Sequence, residues 1–259
     1  MIRIGEIREK AREFSVPTST IERDYAQNWL LASLNPIKMA LKGGTGIRKV
    51  FIENHRFSDD LDFTLLEPMD KDRLQAAIYD SVIKVREESG IQFEDDISIN
   101  ETASGFRSIA KFRIINPSAT FPTNIKLDIT IPVSEQILLL VQQKSIFHHF
   151  SDHLEASVTS YTLEEIMAEK IRSIFQRTRP RDLYDIWQLS SHVDRDQVKS
   201  ILCRKCEYKG VVLDISRVLE RSDVFNASWE ASLHNQMDKV PEFHVAFAEV
   251  IESLRYYLD

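Results

Sequence analysis

Asp60 and Asp62 stand two apart in Asp60-Leu61-Asp62-Phe63-Thr64-Leu65, where the acids and Thr64 alternate with Leu61, Phe63 and Leu65. A period of two marks a strand with one buried face, so both carboxylates point the same way, with roughly 7 Å between their Cα atoms. Carboxylates at that separation can converge on one divalent ion or on a closely spaced pair. Asp59 falls on the other face or in the preceding turn. Ser58 lies two residues before Asp60, so its hydroxyl extends onto the acidic face, where it donates to a phosphate or merely ends the turn. Upstream, Ile37 to Leu41 reads as a short apolar strand that ends on Gly43-Gly44-Thr45, after which Ile47, Val50 and Phe51 fit a short helix. Glycine lets the backbone approach a phosphate closely, and the first amides of a helix are free to donate to it. A Gly-Gly pair alone marks an ordinary turn. Beside an Asp-x-Asp strand it gains a chemical reading, one element holding a triphosphate and the other its metal.

The elements that must position these residues are legible on both sides. Ile4 to Phe14 reads as a charged amphipathic helix closed by Pro17, and Thr18 or Ser19 caps a second helix with Ile21, Tyr25, Trp29 and Ala32 at core spacing. Asp70 caps a helix running to Glu88, with Leu74, Ile78, Val82 and Val85 on one side and Gly90 as its stop. Phe106 to Ile114 alternates Ala110, Phe112 and Ile114 against Lys111 and Arg113, the pattern of a strand with a basic or wet outer face. In Ile125 to Ile131 the apolar residues share one face and leave Lys126, Asp128 and Thr130 on the other. Periodicity alone leaves Asp128 open between an exposed edge residue and a third acid of the site.

Later in the chain, Thr162-Leu163-Glu164-Glu165 has the form of a capping box and opens a helix that carries Glu169 and Lys170. Arg179-Pro180 interrupts it, and the next helix sets Asp182 and Asp185 three apart on one side. On spacing alone Lys170 pairs with Glu165 or Glu169 on the surface. The cluster Arg172, Arg177, Arg179 and Arg181 reads either as a solvated helix end or as a phosphate-holding patch. Val211 to Trp229 is ambiguous between helix and loop.

Lys42-Gly43-Gly44-Thr45, followed by Arg56-Phe57-Ser58-Asp59-Asp60-Leu61-Asp62, resembles the signature of the nucleotidyl transferase AbiEii/AbiGii toxin family, a branch of the polymerase-β-like nucleotidyltransferases. The stretch from Leu163-Glu164-Glu165 through Glu169-Lys170 to Arg179-Pro180-Arg181-Asp182 and Asp185 resembles that family's second motif. The resemblance runs from about Ile21 to Leu189. It implies an α/β (α+β) fold: a mixed sheet with flanking helices for nucleotide and metal, residues 1–155, then a helical domain, 156–259, that contributes Lys170 and Asp182 and closes over the substrate. It also implies that Asp128 is the third carboxylate, helping bind metal or taking a proton from the attacking hydroxyl. Lys170 would contact the triphosphate, and Asp182 or Asp185 would act near it.

The activity implied is that of a toxin from a toxin–antitoxin or phage-defence system, transferring a nucleoside monophosphate from an NTP to RNA, with tRNA the expected acceptor. Asp60, Asp62 and Asp128 would hold Mg²⁺ or Mn²⁺, Gly43, Gly44, Thr45, Ser58, Lys170 and Asp182 would bind nucleotide, and a cognate antitoxin would be the protein partner. Transfer onto a protein hydroxyl and a non-catalytic nucleotide-binding module are the alternatives.

Composition bounds these readings. With 259 residues and 43% hydrophobic content the chain can bury a full core. It has no apolar run near the roughly 20 residues of a membrane span and no apolar core of a secretion signal, so a cytoplasmic protein is expected. A net charge of -7 excludes a generally basic nucleic-acid surface and requires any RNA contact to be local. Cys203 and Cys206 sit in a helical pattern without a second ligand pair, which favours a core or surface role over zinc. The adjacent His148 and His149 read as surface or packing residues.

Overall fold

The structure, a computed structural model, describes residues 1–118 and 120–258 and divides into two compact units. The first comprises residues 1–135 and 141–160, the second 136–140 and 161–258. The boundary expected at 155 moves to 160, because 157–160 form a strand of the first unit's sheet.

The first unit opens with helices α1 (Ile4–Glu13) and α2 (Thr18–Leu34), then strand β1 (Met39–Lys42). Pro17, not Thr18 or Ser19, takes the cap position of α2, and no side chain caps it. After β1 come the single turn α3 (Gly43–Gly46), a π-helical turn (Ile47–Phe51) and β2 (Asp60–Leu65). Helix α4 (Lys71–Ser89) is capped by Asp70, whose carboxylate accepts from the Arg73 amide at 2.9 Å, and it stops at Gly90 in the left-handed conformation. Strands β3 (Gln92–Phe93), β4 (Ile99–Thr102), β5 (Gly105–Arg113), β6 (Thr123–Thr130), β7 (Gln142–Ser145) and β8 (Ser157–Ser160) complete the unit.

Among the described residues the strands form one mixed sheet in the order β3-β5-β6-β2-β1-β8-β7, with β4 also on β5. β2 runs parallel to β6 and β1 parallel to β8, while β1–β2 and β5–β6 are antiparallel. Leu61, Phe63, Ala110, Phe112, Ile125, Leu127 and Ile129 are buried with Leu30, Leu31, Leu74, Ile78 and Val82 of α2 and α4 in one hydrophobic core. The alternation read in the sequence is therefore the division between that core and an open sheet face. Tyr25 is core as expected, its hydroxyl donating to Asp152. His148 is packed against Asp152 at 3.0 Å, and His149 is exposed.

The second unit is helical: α5 (Leu163–Gln176), α6 (Pro180–Leu189), α7 (Arg195–Tyr208), α8 (Ile215–Leu219), α9 (Ser222–Leu233) and α10 (Phe243–Leu258). The stretch that was ambiguous in the sequence holds α8 and α9. Thr162 accepts from the Glu165 amide, but the Glu165 carboxylate does not complete a capping box. It accepts instead from the amides of Leu138 and Leu139, 2.8 Å each, which ties residues 136–140 to this unit. Lys205, fully buried, donates to Glu165 at 2.8 Å and Glu169 at 2.9 Å. Cys206 is buried and Cys203 exposed, both free, and burial pushes the Cys206 thiol up to about 11. No helix among the described residues is long and apolar enough to cross a membrane.

Candidate active site

Asp60 and Asp62 lie on β2 and Asp128 on β6, all three half-buried on the open side of the sheet. The parallel register of β2 and β6 sets Asp62 directly opposite Asp128 and Asp60 directly opposite Lys126. A one-residue slip would turn Asp128 into the core. On the other side of β6, Arg107 of β5 stands opposite Asp128 and donates to its Oδ1 from Nε at 2.6 Å. The Lys126 ammonium lies 3.2 Å from Asp60 Oδ2 and 3.6 Å from Asp128 Oδ2. The hydrogen bond from Arg107 to Asp128, aided by the charges of Asp60 and Asp62, pushes the guanidinium pKa above its ordinary value.

The glycine turn is built around this cluster. Gly43 has φ +70°, and a Cβ added there would sit 2.5 Å from Asp62 Oδ2. At Gly44 an added Cβ would meet the buried Arg56 guanidinium at 2.8 Å and Ser58 Oγ at 3.1 Å. The turn, Arg56, Ser58 and Asp62 are thus close-packed. Thr45 is fully buried and its hydroxyl donates to the Asp60 carbonyl, so it ties the turn to β2.

Helix α2 secures the start of β2. The Gln27 amide donates to the carbonyls of Ser58 and Asp59 at 3.0 and 3.1 Å, and Arg23 pairs with Asp59 at 2.6 Å. Asp59 is thereby a tether outside the acidic face. Behind the turn, Arg48 and Lys49 reach Asp24 of α2 at 2.9 and 2.7 Å. Burial alone would raise the Asp24 pKa, but Lys49 and Arg48 hold it down to about 2.

Lys170 and Asp182 belong to the second unit. Lys170 pairs with both Asp182 and Asp185, 2.8 Å each, across two helices and not only within its own. Both aspartates are buried, and each holds the lysine. Burial favours the neutral acid at Asp182, yet Lys170 and Arg177 outweigh it and hold its pKa below the usual value. The arginine cluster divides: Arg172 is buried against the Lys205 carbonyl, Arg177 caps the end of α5 half-exposed and pairs with Asp182, and Arg179 is exposed.

Sequence reading missed Arg107, whose signal was its place on the same outward period as Lys111 and Arg113. It also passed over Gln27 and the nearness of Arg56 to Gly44, which only tertiary packing creates. Lys126 was placed on the acidic face without its consequence. The donor set is all carboxylate oxygen, suited to a hard divalent cation, and the missing Cβ of Gly43 is what admits the Asp62 carboxylate against the turn. As they stand, no three acidic, histidine or cysteine side chains among the described residues are gathered tightly enough to hold an ion. The expected convergence of Asp60 and Asp128 takes place on the Lys126 ammonium.

The fold, a mixed sheet with flanking helices and a helical unit, is one that solved structures of similar proteins share. The structure matches MenT4, a nucleotidyltransferase toxin from Mycobacterium tuberculosis H37Rv, with a TM-score of 0.69 at 20% identity over 100% of this chain and 90% of that one. It also matches JHP933 from Helicobacter pylori, with a TM-score of 0.61 at 18% identity over 93% of each chain. No curated protein sequence matches the chain.

The chain belongs to the nucleotidyl transferase AbiEii toxin family of type IV toxin–antitoxin systems, whose family model matches residues 27–254. It is a nucleotidyltransferase, as the sequence motifs led one to expect. Enzymes of this class generally take an NTP and a divalent metal, and membership of a type IV system implies an antitoxin.

Proposed function

We propose that this toxin transfers a nucleoside monophosphate from an NTP to a hydroxyl of an RNA, with tRNA as the acceptor, and releases pyrophosphate. The observation that carries this reading is the common sheet face of Asp60, Asp62 and Asp128 beside the Gly43–Gly44 turn. Asp60, Asp62 and Asp128 are the residues that would hold Mg²⁺ or Mn²⁺, which when bound polarises phosphoryl oxygens and offsets their charge. Gly43 and Gly44 let a phosphate approach the backbone, Ser58 Oγ and Arg56 flank it, and Asp128 accepts the proton of the attacking hydroxyl at a carboxylate oxygen. Thr45 acts by fixing Asp60. Lys170, matched by the family's second motif, is a residue required for transfer, and Asp182 and Asp185 hold it in place. The compartment is the cytoplasm, where NTPs and tRNA are found, and a cognate antitoxin restrains the activity.

The test is incubation of the protein with each α-labelled NTP, Mg²⁺ or Mn²⁺, and either total tRNA or a protein extract. Label in tRNA, absent with Asp60→Ala, supports the reading, and mass analysis of the tRNA identifies the added nucleotide. Label in protein alone replaces the acceptor. Growth arrest that persists in Asp60→Ala, with the fold intact and no label in either fraction, refutes catalysis as the cause of toxicity.

A further inference from the structure

The lysines near the acids of this protein are of two kinds. Lys49 and Lys205 are sealed in the interior, each on a buried carboxylate, and belong to the scaffold. Lys126 is different: its side chain is 34% exposed, and so is that of Asp60, its partner at 3.2 Å. An ion pair so open to water contributes little to folding. Beyond offsetting the repulsion of the acids around it, the ammonium therefore adds little to the fold, and it stands on a flexible stem that can swing into solvent.

The oxygens it uses are informative. Lys126 faces Oδ2 of both Asp60 and Asp128, whereas Arg107 takes Oδ1 of Asp128. The two cations thus divide the cluster without competing. A divalent ion bound by Asp60 and Asp128 would compete with Lys126 for the same oxygens and be repelled by its charge at close range.

We propose that Lys126 is a resident counter-cation of the carboxylate cluster, which a divalent ion must displace, so that this lysine sets the affinity of the site for metal. The inference rests on the reading that these carboxylates hold a metal. Lys126 is a positioning residue in this scheme: it keeps Asp60 and Asp128 together on one face while the ion is absent and yields them when it arrives. Lys111 serves as the control, because it lies on the outward period of the adjacent strand but pairs with Asp96 and Glu94, outside the cluster.

The experiment is titration of the full chain, without nucleotide, with Mn²⁺, following the free ion by electron paramagnetic resonance. Wild type, Lys126→Met, Lys111→Met and Asp62→Asn are compared after circular dichroism has shown each to be folded. Lys126→Met tightens Mn²⁺ binding on the order of tenfold, since one positive charge leaves the immediate site. Lys111→Met removes the same charge from the chain and stays within about twofold of wild type, because a more distant exposed charge is screened. Asp62→Asn abolishes the binding. Affinity in Lys126→Met equal to or weaker than wild type, or an equal gain in Lys111→Met, overturns the role given to Lys126 and leaves the metal reading standing. If neither wild type nor Lys126→Met has saturable binding that Asp62→Asn abolishes, the metal reading itself fails, and the inference with it.

Discussion

Gly43→Ala separates the geometry of the turn from the stability of the fold. Gly43 has φ +70°, and its added Cβ would lie 2.5 Å from Asp62 Oδ2 and 3.2 Å from both Asp62 Cβ and Cγ. The backbone strain of an L residue in the left-handed region is about 1–2 kcal/mol. In a domain of this size that lowers the melting temperature by about 2–8 °C. The clash is relieved by rotating the Asp62 carboxylate away, which is cheap for folding because the atom displaced most is a side-chain tip. For chemistry it is expensive, since a misplacement of about 1 Å at a reacting centre costs roughly 100-fold in rate. Gly90→Ala supplies the control: φ is +74°, but the nearest atom to an added Cβ is Met1 Cβ at 3.9 Å. The expected outcome is a similar small drop in melting temperature for both variants, with nucleotide transfer to tRNA lost only in Gly43→Ala. Transfer in Gly43→Ala within about threefold of wild type, at matched thermal stability, would refute the claim that this glycine exists to admit the Asp62 carboxylate.

Further outcomes follow from the buried charges. Lys170→Ala leaves Asp182 and Asp185 buried with less compensation, so it costs about 3–5 kcal/mol in chemical denaturation and also abolishes transfer. Adding Asp182→Asn and Asp185→Asn restores much of the stability but no activity; recovery of transfer in that triple variant removes the lysine from the reaction. Lys205→Met destabilises by a similar about 3–5 kcal/mol, because Glu165 loses its ammonium inside the helical unit, and urea unfolding followed by tryptophan fluorescence measures it. Asp24, held down to about 2 from 3.8, gives stability that is present above 3.8 and lost as pH falls toward 2, where the unfolded chain binds the extra proton. That contribution is about 2 kcal/mol, and acid titration of the unfolding free energy finds it absent in Asp24→Asn.

Much of this protein was legible because its sheet has one buried face. Leu61, Phe63, Ile125, Leu127, Ala110 and Phe112 are at core positions for the reason their period of two suggested, and the same alternation put Asp60, Asp62 and Asp128 outward. Asp70 and Gly90 bounded α4 through local backbone chemistry alone. What the chain order withheld were relations set by pairing between distant strands. Nothing local tells Lys126 that its neighbour is Asp60, 66 residues away, or tells Arg107 that it faces Asp128. The bond Thr45 makes was hidden for a related reason: a hydroxyl buried in a close-packed turn must find a partner, and it found the Asp60 carbonyl, 15 residues on. Glu165 departed from its capping box in the same way, because the Leu138 and Leu139 amides and the Lys205 ammonium together satisfy it better than one amide of its own helix.

The strand order explains why the acids had to come from two distant parts of the chain. Neighbouring strands lie about 4.8 Å apart, whereas residues i and i+2 on one strand are separated by roughly 7 Å. Asp62 and Asp128, paired across parallel strands, are therefore held closer at the backbone than Asp60 and Asp62 are along β2. Two acids on one strand define a line, and the third beside them makes a triangle that opens to solvent on one side. Closing that triangle without a cation would bring like charges together, and the strand register prevents the backbone from relieving the repulsion by sliding. The sequence meets this by placing Lys126 two residues before Asp128, on the same face and directly across from Asp60. A fold that holds three acids in register thus carries its own counter-charge on one of the strands that creates the problem.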